Sequence, residues 1–167
     1  MDIATLANLI NAFAVTAGVI FAAVQIRHYR QRRRRDTMLE LVRSFQNPTF
    51  VKALRRVIEL PNDLSAQEIR ESLGPEGEDL IANLTATWET VGVLLFHKEL
   101  TIEIIDDFFS GPIVISWRKL KPYLEDLRQQ YHRDTWSEWF QWLAEQMMER
   151  ESKVPPVPAY IAYRGWR

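Results

Sequence analysis

Few side chains in this sequence have the types and spacing that catalysis requires. Glu89 lies in an apolar stretch, where a half-buried carboxylate would have a raised pKa or an arginine partner, and Arg128 is one candidate partner. His97 follows the same stretch, and Asp106 and Asp107 form an adjacent acidic pair. A membrane-bound enzyme would need these groups to converge in one pocket. We expect instead that Glu89 and Arg128 are buried polar anchors between helices, that His97 is a surface or helix-end residue, and that the Asp pair is solvated.

Motifs for metal, phosphate or nucleophile chemistry are absent from the sequence. The chain has no cysteine, and His28, His97 and His132 lack the ExxH and HExxH spacings of metal sites. None of its six glycines forms a phosphate loop, and there is no GxSxG motif. The sequence therefore predicts no catalytic residue, no metal and no cofactor, in a protein that is not an enzyme.

The N-terminal segment has a different character from the rest of the chain. Residues 3–26 contain no charged residue, and residues 27–35 contain six arginines and no acid. As a helix the uncharged run would be about 36 Å long, enough to cross a hydrocarbon core of about 30 Å. A signal peptide would carry its positive charges first, and an interfacial helix would carry charges along one face. The pattern predicts a single transmembrane helix over residues 1–26.

The arginines that follow this run predict its orientation. Basic residues close to a span stay on the cytoplasmic side, so we expect the N-terminus outside and the following region in the cytoplasm. The total charge of −1 then conceals a cytoplasmic part, residues 36–167, with a formal charge of −6. We expect the juxtamembrane segment, residues 27–35, to set topology and to bind anionic lipid headgroups rather than nucleic acid. Its basic residues are Arg27, Arg30, Arg32, Arg33, Arg34 and Arg35.

One stripe of the predicted span combines small and amide side chains. Its members recur at three- and four-residue steps, and they are Asn8, Asn11, Ala14, Gly18 and Ala22. Small residues let helices approach closely in lipid, and amides hydrogen-bond across the contact. The stripe predicts a contact with another membrane helix, from a second copy or a different subunit. The alternative is that alanine and glycine are simply common in spans.

Helical periodicity continues after the arginines, and we find no convincing strand alternation. Asn47-Pro48 and Ser65 with Glu68 are signals for helix starts. The best core candidate is the apolar stripe of residues 77–97, made of Leu80, Ile81, Leu84, Trp88, Val91 and Leu95. The sequence predicts an all-α protein, with the transmembrane helix followed by a compact cytoplasmic bundle of four to six short helices over residues 36–151.

Prolines and aromatic residues shape the expectations for the C-terminal half. A short helix over residues 102–109 should be interrupted at residues 110–112, and Pro122 should kink or break the next helix near Leu120. The last helix should run from about Thr135 to Arg150. That helix contains three tryptophans spaced three residues apart, Trp136, Trp139 and Trp142. We interpret them as part of the core or of a subunit interface, and the alternative is that they bind a pigment or a quinone.

The C-terminal tail, residues 152–167, combines three prolines with large hydrophobic side chains. The prolines favour an extended segment, and the rings that follow include Tyr160, Tyr163 and Trp166. A free, solvated tail would rarely carry such side chains. We expect it either to pack on its own bundle or to dock on a partner or the membrane interface, where Tyr and Trp are common.

The order of these features resembles a bacterial family of membrane-anchored helical proteins that is classed as a domain of unknown function. The likeness covers residues 3–148 and excludes the tail. Its motifs are Gln25-Ile26-Arg27, Phe45-x-x-Pro48, Trp88-Glu89-x-x-Gly92, Ile105-Asp106-x-Phe108-Phe109, Trp117-x-x-Leu120-Lys121-Pro122-Tyr123, Arg128 and Phe140-x-Trp142-Leu143-Ala144. The resemblance implies an acidic residue before Trp142, where this chain has Gln141. It supports the helical architecture and a bacterial cytoplasmic membrane location, and it adds no catalytic residue.

These observations favour a non-catalytic, single-pass membrane protein that serves as an accessory or scaffold subunit of a larger membrane complex. Its contacts with other subunits would be the stripe of the span, the tryptophans and the aromatic tail. The alternative is a membrane-tethered regulatory domain whose bundle binds a ligand or a soluble partner.

Overall fold

The computed structural model describes the backbone of residues 2–166, and their side chains except at positions 4–10, 12, 30, 31, 33–37, 40 and 44. Within this part of the chain there are helices and no strands, which confirms the all-α class. The helices are α1 (Ile3–Phe45), α2 (Pro48–Ile58), α3 (Ala66–Leu73), α4 (Gly77–Phe96), α5 (Ile102–Tyr131), α6 (Glu138–Lys153) and α7 (Ala159–Ala162). The chain divides into two compact units, Met1–Val42 and Arg43–Arg167.

The first unit contains most of α1, and the described apolar side chains from Phe13 to Ile26 are exposed. Phe13 is 77% exposed, Phe21 65% and Ile20 60%. Among the described residues, no helix is long and apolar enough to cross a membrane. The transmembrane helix over residues 1–26 is thus not supported by the structure and stays a prediction. Positions 4–10 and 12 of the predicted span lie outside the described side chains.

Two helices of the second unit, α2 and α3, begin at the predicted signals. The Asn47 side chain accepts a hydrogen bond from the Thr49 backbone N–H at 2.8 Å, with Pro48 in the first turn of α2. Ser65 and Glu68 form a reciprocal capping box at the start of α3. These side chains satisfy backbone N–H groups that have no partner within the helix, so local sequence decides where both helices begin.

Trp88 on α4 lies at the centre of the core of this unit and is fully buried. Its ring contacts Phe50 of α2, Phe109 of α5 and Phe140 of α6, with centroid distances of 5.4, 6.2 and 6.4 Å. Phe45 lies 5.4 Å from the same ring and stacks on Phe109 at 3.7 Å. Rings of this size contribute most of the buried apolar area, so one cluster joins four helices and the end of α1.

The prediction of a helix interruption at residues 110–112 is wrong, because α5 is continuous from Ile102 to Tyr131. The helix does not break near Leu120 either, and the alternative of a kink there stays a prediction. Pro112 and Pro122 each remove one backbone N–H and free the carbonyl four residues earlier. Those carbonyls belong to Phe108 and Arg118, which both lie on the exposed side of α5. Water can reach them there, so each proline costs one hydrogen bond without ending the helix.

The start of the last helix also differs from the prediction. α6 begins at Glu138, so Trp136 lies in the preceding loop and does not share a helical stripe with Trp139 and Trp142. The loop ends on Ser137, which has a left-handed backbone with φ 55°. This conformation cannot continue a right-handed helix, and it delays the start of α6 by about three residues.

The capping box of α3 provides a test of the fold. Replacing Ser65 by alanine should lower the free energy of unfolding by about 1 kcal/mol, because the Glu68 N–H loses its acceptor. Ser72→Ala changes the same residue type on an exposed position of the same helix. Urea denaturation of both variants should show a loss for Ser65→Ala only; equal midpoints would contradict the role of the cap.

Candidate functional site

The first turn of α6 is held by a carboxylate from another helix. Ser137 precedes α6 but makes no side-chain cap. The Phe140 backbone N–H instead donates to Glu89 Oε1 on α4 at 2.6 Å. A carboxylate at a helix N-terminus satisfies an otherwise unpaired N–H and interacts favourably with the helix dipole. Glu89 therefore acts as an N-cap supplied by tertiary structure.

Gly92 lies one turn after Glu89 and lets the two helices approach closely. A Cβ atom at this position would lie 2.5 Å from the Trp139 carbonyl oxygen and 3.1 Å from the Trp139 Cβ. Such a distance is too short for a real side chain. The absence of a side chain at Gly92 thus makes room for the backbone of α6. In the motif Trp88-Glu89-x-x-Gly92, the first residue packs in the core, the second caps α6, and the third allows α6 to approach α4 closely.

Arg128 of α5 binds the same segment from the other side. Its Nε donates to the Trp136 carbonyl at 2.8 Å, and its Nη1 donates to Gln141 Oε1 at 2.7 Å. Nη2 lies 3.5 Å from the Ser137 carbonyl. Arg128 therefore pairs with the loop and α6 rather than with Glu89. Gln141 provides the acceptor at the position where the family resemblance implies an acid.

The environment of Glu89 changes its proton affinity. Burial raises the pKa of this carboxyl, and the Glu138 carboxylate adds to the effect. Hydrogen bonds from the Phe140 and Trp139 backbone and the positive charge of Arg128 act in the opposite direction. The net pKa is raised because desolvation outweighs these contacts.

Glu89 also lines a groove of about 860 Å³ between α4 and α5. Its floor contains Ile81 and Leu124, which are 3% and 1% exposed. One end is closed by α3 through Arg70, and the other by the loop that carries Trp136. Most of the other residues that line the groove are polar or charged.

Three contacts stabilise the walls of the groove. Arg70 Nη2 lies 2.6 Å from Asp126 Oδ2, and its guanidinium lies over the Tyr123 ring at 4.9 Å from the centroid. Burial raises the pKa of the Tyr123 hydroxyl, which therefore stays protonated. At the other end, the Tyr131 and Trp136 rings stack at 5.2 Å with an interplanar angle of 14°.

The chain matches the family model described as domain of unknown function DUF4760 over residues 12–147. The chain belongs to the DUF4760 family. No curated protein and no solved structure matches it. The matched range contains α2 to α5 and the part of α6 that Glu89 and Gly92 hold. The motif Trp88-Glu89-x-x-Gly92 of this DUF4760 chain thus has a structural account, which is the docking of α6 on α4.

The other catalytic candidates do not join Glu89. His97 ends α4, about 12 Å along the helix axis from Glu89, and neither it nor the Asp pair lines the groove. The expectation that both aspartates are solvated is wrong for Asp106, whose Oδ2 lies 2.6 Å from Arg150 Nε on α6. Among the described residues, no group of three His, Asp or Glu side chains could hold a metal ion.

The predicted partner-contact residues lie in separate places. Trp139 and Trp142, which are both partly buried, form an aromatic surface with the exposed Phe96, with centroid distances from Phe96 of 4.9 and 6.1 Å. Phe96 is 53% exposed, and Trp136 belongs to the groove instead. The tail rings are not buried against the bundle, and they are Tyr160, Tyr163 and Trp166, between 66% and 83% exposed.

The predicted membrane residues fall in the first unit. Those with described side chains are all exposed, namely Asn11, Ala14, Gly18, Ala22, Arg27 and Arg32. Gly18 has open space where a Cβ would be. The remaining predicted positions lie outside the described side chains, namely Asn8, Arg30, Arg33, Arg34 and Arg35.

Sequence reasoning missed the groove and the Asp106–Arg150 pair. The groove combines α3, α4, α5 and a loop, so only their packing creates it. The sequence contained one indication that Asp106 has a structural role, because it belongs to Ile105-Asp106-x-Phe108-Phe109, a motif shared with the family that the chain resembles. Its partner, however, lies 44 residues away on α6 and beyond the range of the resemblance.

Gly92→Ala tests the close approach of α4 and α6. The added methyl must displace the Trp139 backbone, so the free energy of unfolding should fall by about 1–3 kcal/mol. Gly111→Ala on α5 is the matched control, since a Cβ atom at that position would have no neighbouring atom within 4 Å. Helix propensity predicts that the control is stabilised by about 0.5–1 kcal/mol. Denaturant titration measures both, and a Gly92→Ala protein as stable as wild type would contradict the packing argument.

Glu89→Gln tests the raised pKa. The folded state holds the Glu89 proton to a higher pH than the unfolded chain, so the wild type loses stability as pH rises through that interval. Glutamine keeps a hydrogen-bond acceptor for Phe140 and does not titrate. The stability of Glu89→Gln relative to wild type should therefore increase with pH from about pH 4 upward.

The measurement is urea denaturation at several pH values from acidic to neutral. Glu71→Gln on the exposed face of α3 is the control and should follow the wild-type profile. A constant difference between Glu89→Gln and wild type across this range would show that burial does not shift the proton affinity of Glu89.

Proposed function

We propose that this DUF4760 protein is a non-catalytic, single-pass membrane protein that serves as an accessory or scaffold subunit of a larger membrane complex. Residues 1–26 would be the anchor with the N-terminus outside, and the bundle would lie in the cytoplasm of a bacterial cell. The observation that carries the proposal is an uncharged run, residues 3–26, followed at once by six arginines.

The exposure of the first unit supports an anchor. Large apolar side chains from Phe13 to Ile26 are exposed on every side of α1, among them Val19 at 65% and Phe21 at 65%. A helix that is apolar all round requires cover from lipid or protein. The arginines that follow favour lipid, because guanidinium groups bind the phosphates at the membrane edge.

The aromatic surface of Phe96, Trp139 and Trp142 supports a partner contact. Its rings are held rigidly by α4 and α6, close to the turn that Glu89 and Gly92 position. Tryptophan and other aromatic side chains supply much of the binding energy at protein interfaces. The exposed rings of the tail offer a second contact of the same chemistry.

The absence of a reaction is also part of the proposal. Glu89 is engaged by backbone N–H groups of α6, and Asp106 is engaged by Arg150. His97 is outside the groove, so the candidate groups have separate partners and share no pocket. This arrangement supports structural roles for each of them.

Membrane extraction tests the anchor. After alkaline carbonate treatment of membranes, the full-length chain should stay in the pellet, whereas a fragment of residues 43–167 should be released. The reason is that the exposed apolar run is missing from the fragment, and about 20 apolar residues suffice for insertion. Release of the full-length chain would contradict the anchor.

Blue-native electrophoresis of gently solubilised membranes tests the complex. The full-length chain should migrate in a complex, and Phe96→Ser should shift it to lower mass, since truncation of an interface anchor costs about 2 kcal/mol or more. Phe108→Ser is the matched control, because Phe108 is 57% exposed but lies on α5 outside the aromatic surface. Migration of the wild type as a lone monomer would count against a scaffold role.

A second candidate is a tethered domain that binds a ligand. The groove between α4 and α5 favours it, because its apolar floor, aromatic pair and half-buried carboxylate converge in one concave space.

A further inference from the structure

The C-terminal tail begins with an extended proline segment, residues 154–158, whose side chains are exposed. It contains three prolines and lies between the end of α6 and the start of α7. The backbone of Pro158 has φ −55° and ψ 135°, which is polyproline-II geometry. Val154 and Val157 are 69% and 58% exposed. A segment that is already extended loses little conformational freedom on binding, and its usual receptor is a surface lined by aromatic rings.

The aromatic surface of Phe96, Trp139 and Trp142 has rings arranged for such a segment. The Trp142 ring stands at 84° to the Phe96 ring and at 80° to the Trp139 ring, with centroid distances of 6.1 and 5.9 Å. Rings at these angles form walls against which pyrrolidine rings and valine methyl groups can pack. Phe96 is 53% exposed, so the surface is open to another chain.

The charges beside the proline segment and beside the aromatic surface are opposite. Residues 154–167 contain two arginines and no acidic residue. On α6, Glu138 lies four residues before Trp142 and Glu145 three residues after it, so both lie on the same side of the helix as Trp142. Both glutamates are exposed. Opposite charges bring two surfaces together and fix the register in which they dock.

The length of the chain prevents the proline segment from covering the aromatic surface of its own copy. Trp142 lies eleven residues before the end of α6 at Lys153, which is about 16 Å along the helix. Five extended residues span at most about 18 Å, so only the last of them could reach Trp142 and the segment could not lie across the surface. The occupant must therefore come from another chain.

We propose that the proline segment of one copy docks on the aromatic surface of a second copy of this chain. Each copy has one segment and one surface, so a reciprocal exchange closes as a two-fold pair that covers both. Arg164 and Arg167 supply the positive charge that complements Glu138 and Glu145 of the other copy. This inference rests on the proposed function, because it names a second copy as the partner of the aromatic surface.

Disulfide cross-linking in isolated membranes tests the proposal, since the chain has no cysteine of its own. Two differently tagged full-length copies are co-expressed, one with Val157→Cys and the other with His97→Cys, whose ring lies 5.3 Å from that of Phe96. The control replaces His97→Cys by Glu71→Cys, on an exposed position of α3. Oxidation should give at least about fivefold more product for the first pair, because docking raises the local concentration of the two thiols.

Variants of each surface test the contact itself. Phe96→Ser in the copy with His97→Cys should lower the cross-linked yield about tenfold, because an aromatic anchor is lost. Phe108→Ser is the control, since Phe108 is 57% exposed on α5, and it should leave the yield unchanged. Pro155→Ala with Pro158→Ala in the other copy should lower the yield about threefold, because the free tail then has more conformations to lose on docking.

The proposal is overturned if the His97–Val157 pair gives no more product than the Glu71–Val157 control. It is also overturned if Phe96→Ser and Phe108→Ser lower the yield equally. Background cross-linking combined with protection of Val157→Cys from a water-soluble maleimide, in vesicles of the purified protein, would assign the tail to the lipid surface instead.

Blue-native electrophoresis separates this inference from the proposed function. A large complex without the cross-link would overturn the contact between copies and leave the scaffold role standing. A cross-linked pair that migrates as a dimer alone would support the contact between copies and count against the larger complex.

Discussion

The hydrogen bond from the Phe140 N–H to Glu89, together with the close contact at Gly92, fixes where α6 lies on α4. The aromatic core, the aromatic surface of Phe96, Trp139 and Trp142, and the far end of the groove all depend on that position. Phe140 contacts Trp88 and Trp117 in the core, and Trp139 of the same turn contacts Phe96 at the surface. One half-buried carboxylate therefore links the stability of the bundle to the geometry of both candidate binding surfaces.

Local signals in the sequence predicted much of this fold. The caps at Asn47 and Ser65 are confirmed, because short-range hydrogen bonds decide them. The apolar stripe of α4 is buried from Leu80 to Val91, whereas Leu95 is only partly buried. The prolines of α5 misled the prediction, since the cost of a lost hydrogen bond depends on whether water reaches the freed carbonyl. The start of α6 was also misplaced, because its cap comes from Glu89, 51 residues away along the chain.

The candidate site was predictable only in part. Glu89 and Arg128 stood out as charged residues near apolar stretches. No side-chain pattern reveals that Glu89 accepts from a backbone N–H and that Arg128 donates to a backbone carbonyl as well as to the Gln141 side chain. The groove depends on how α3, α4 and α5 pack, and its charge depends on which carboxylates have a partner. The DUF4760 match identifies the family and does not decide between a partner and a ligand.

Hydrogen exchange of the Phe140 amide, measured by NMR on the full-length chain and on Glu89→Ala, tests the docking of α6 most directly. If Glu89 caps α6, the Phe140 amide should lose protection in the variant, while amides in the middle of α4 around Trp88 keep theirs. Unchanged protection of Phe140 in Glu89→Ala would contradict the account, because α6 would then be held without this carboxylate.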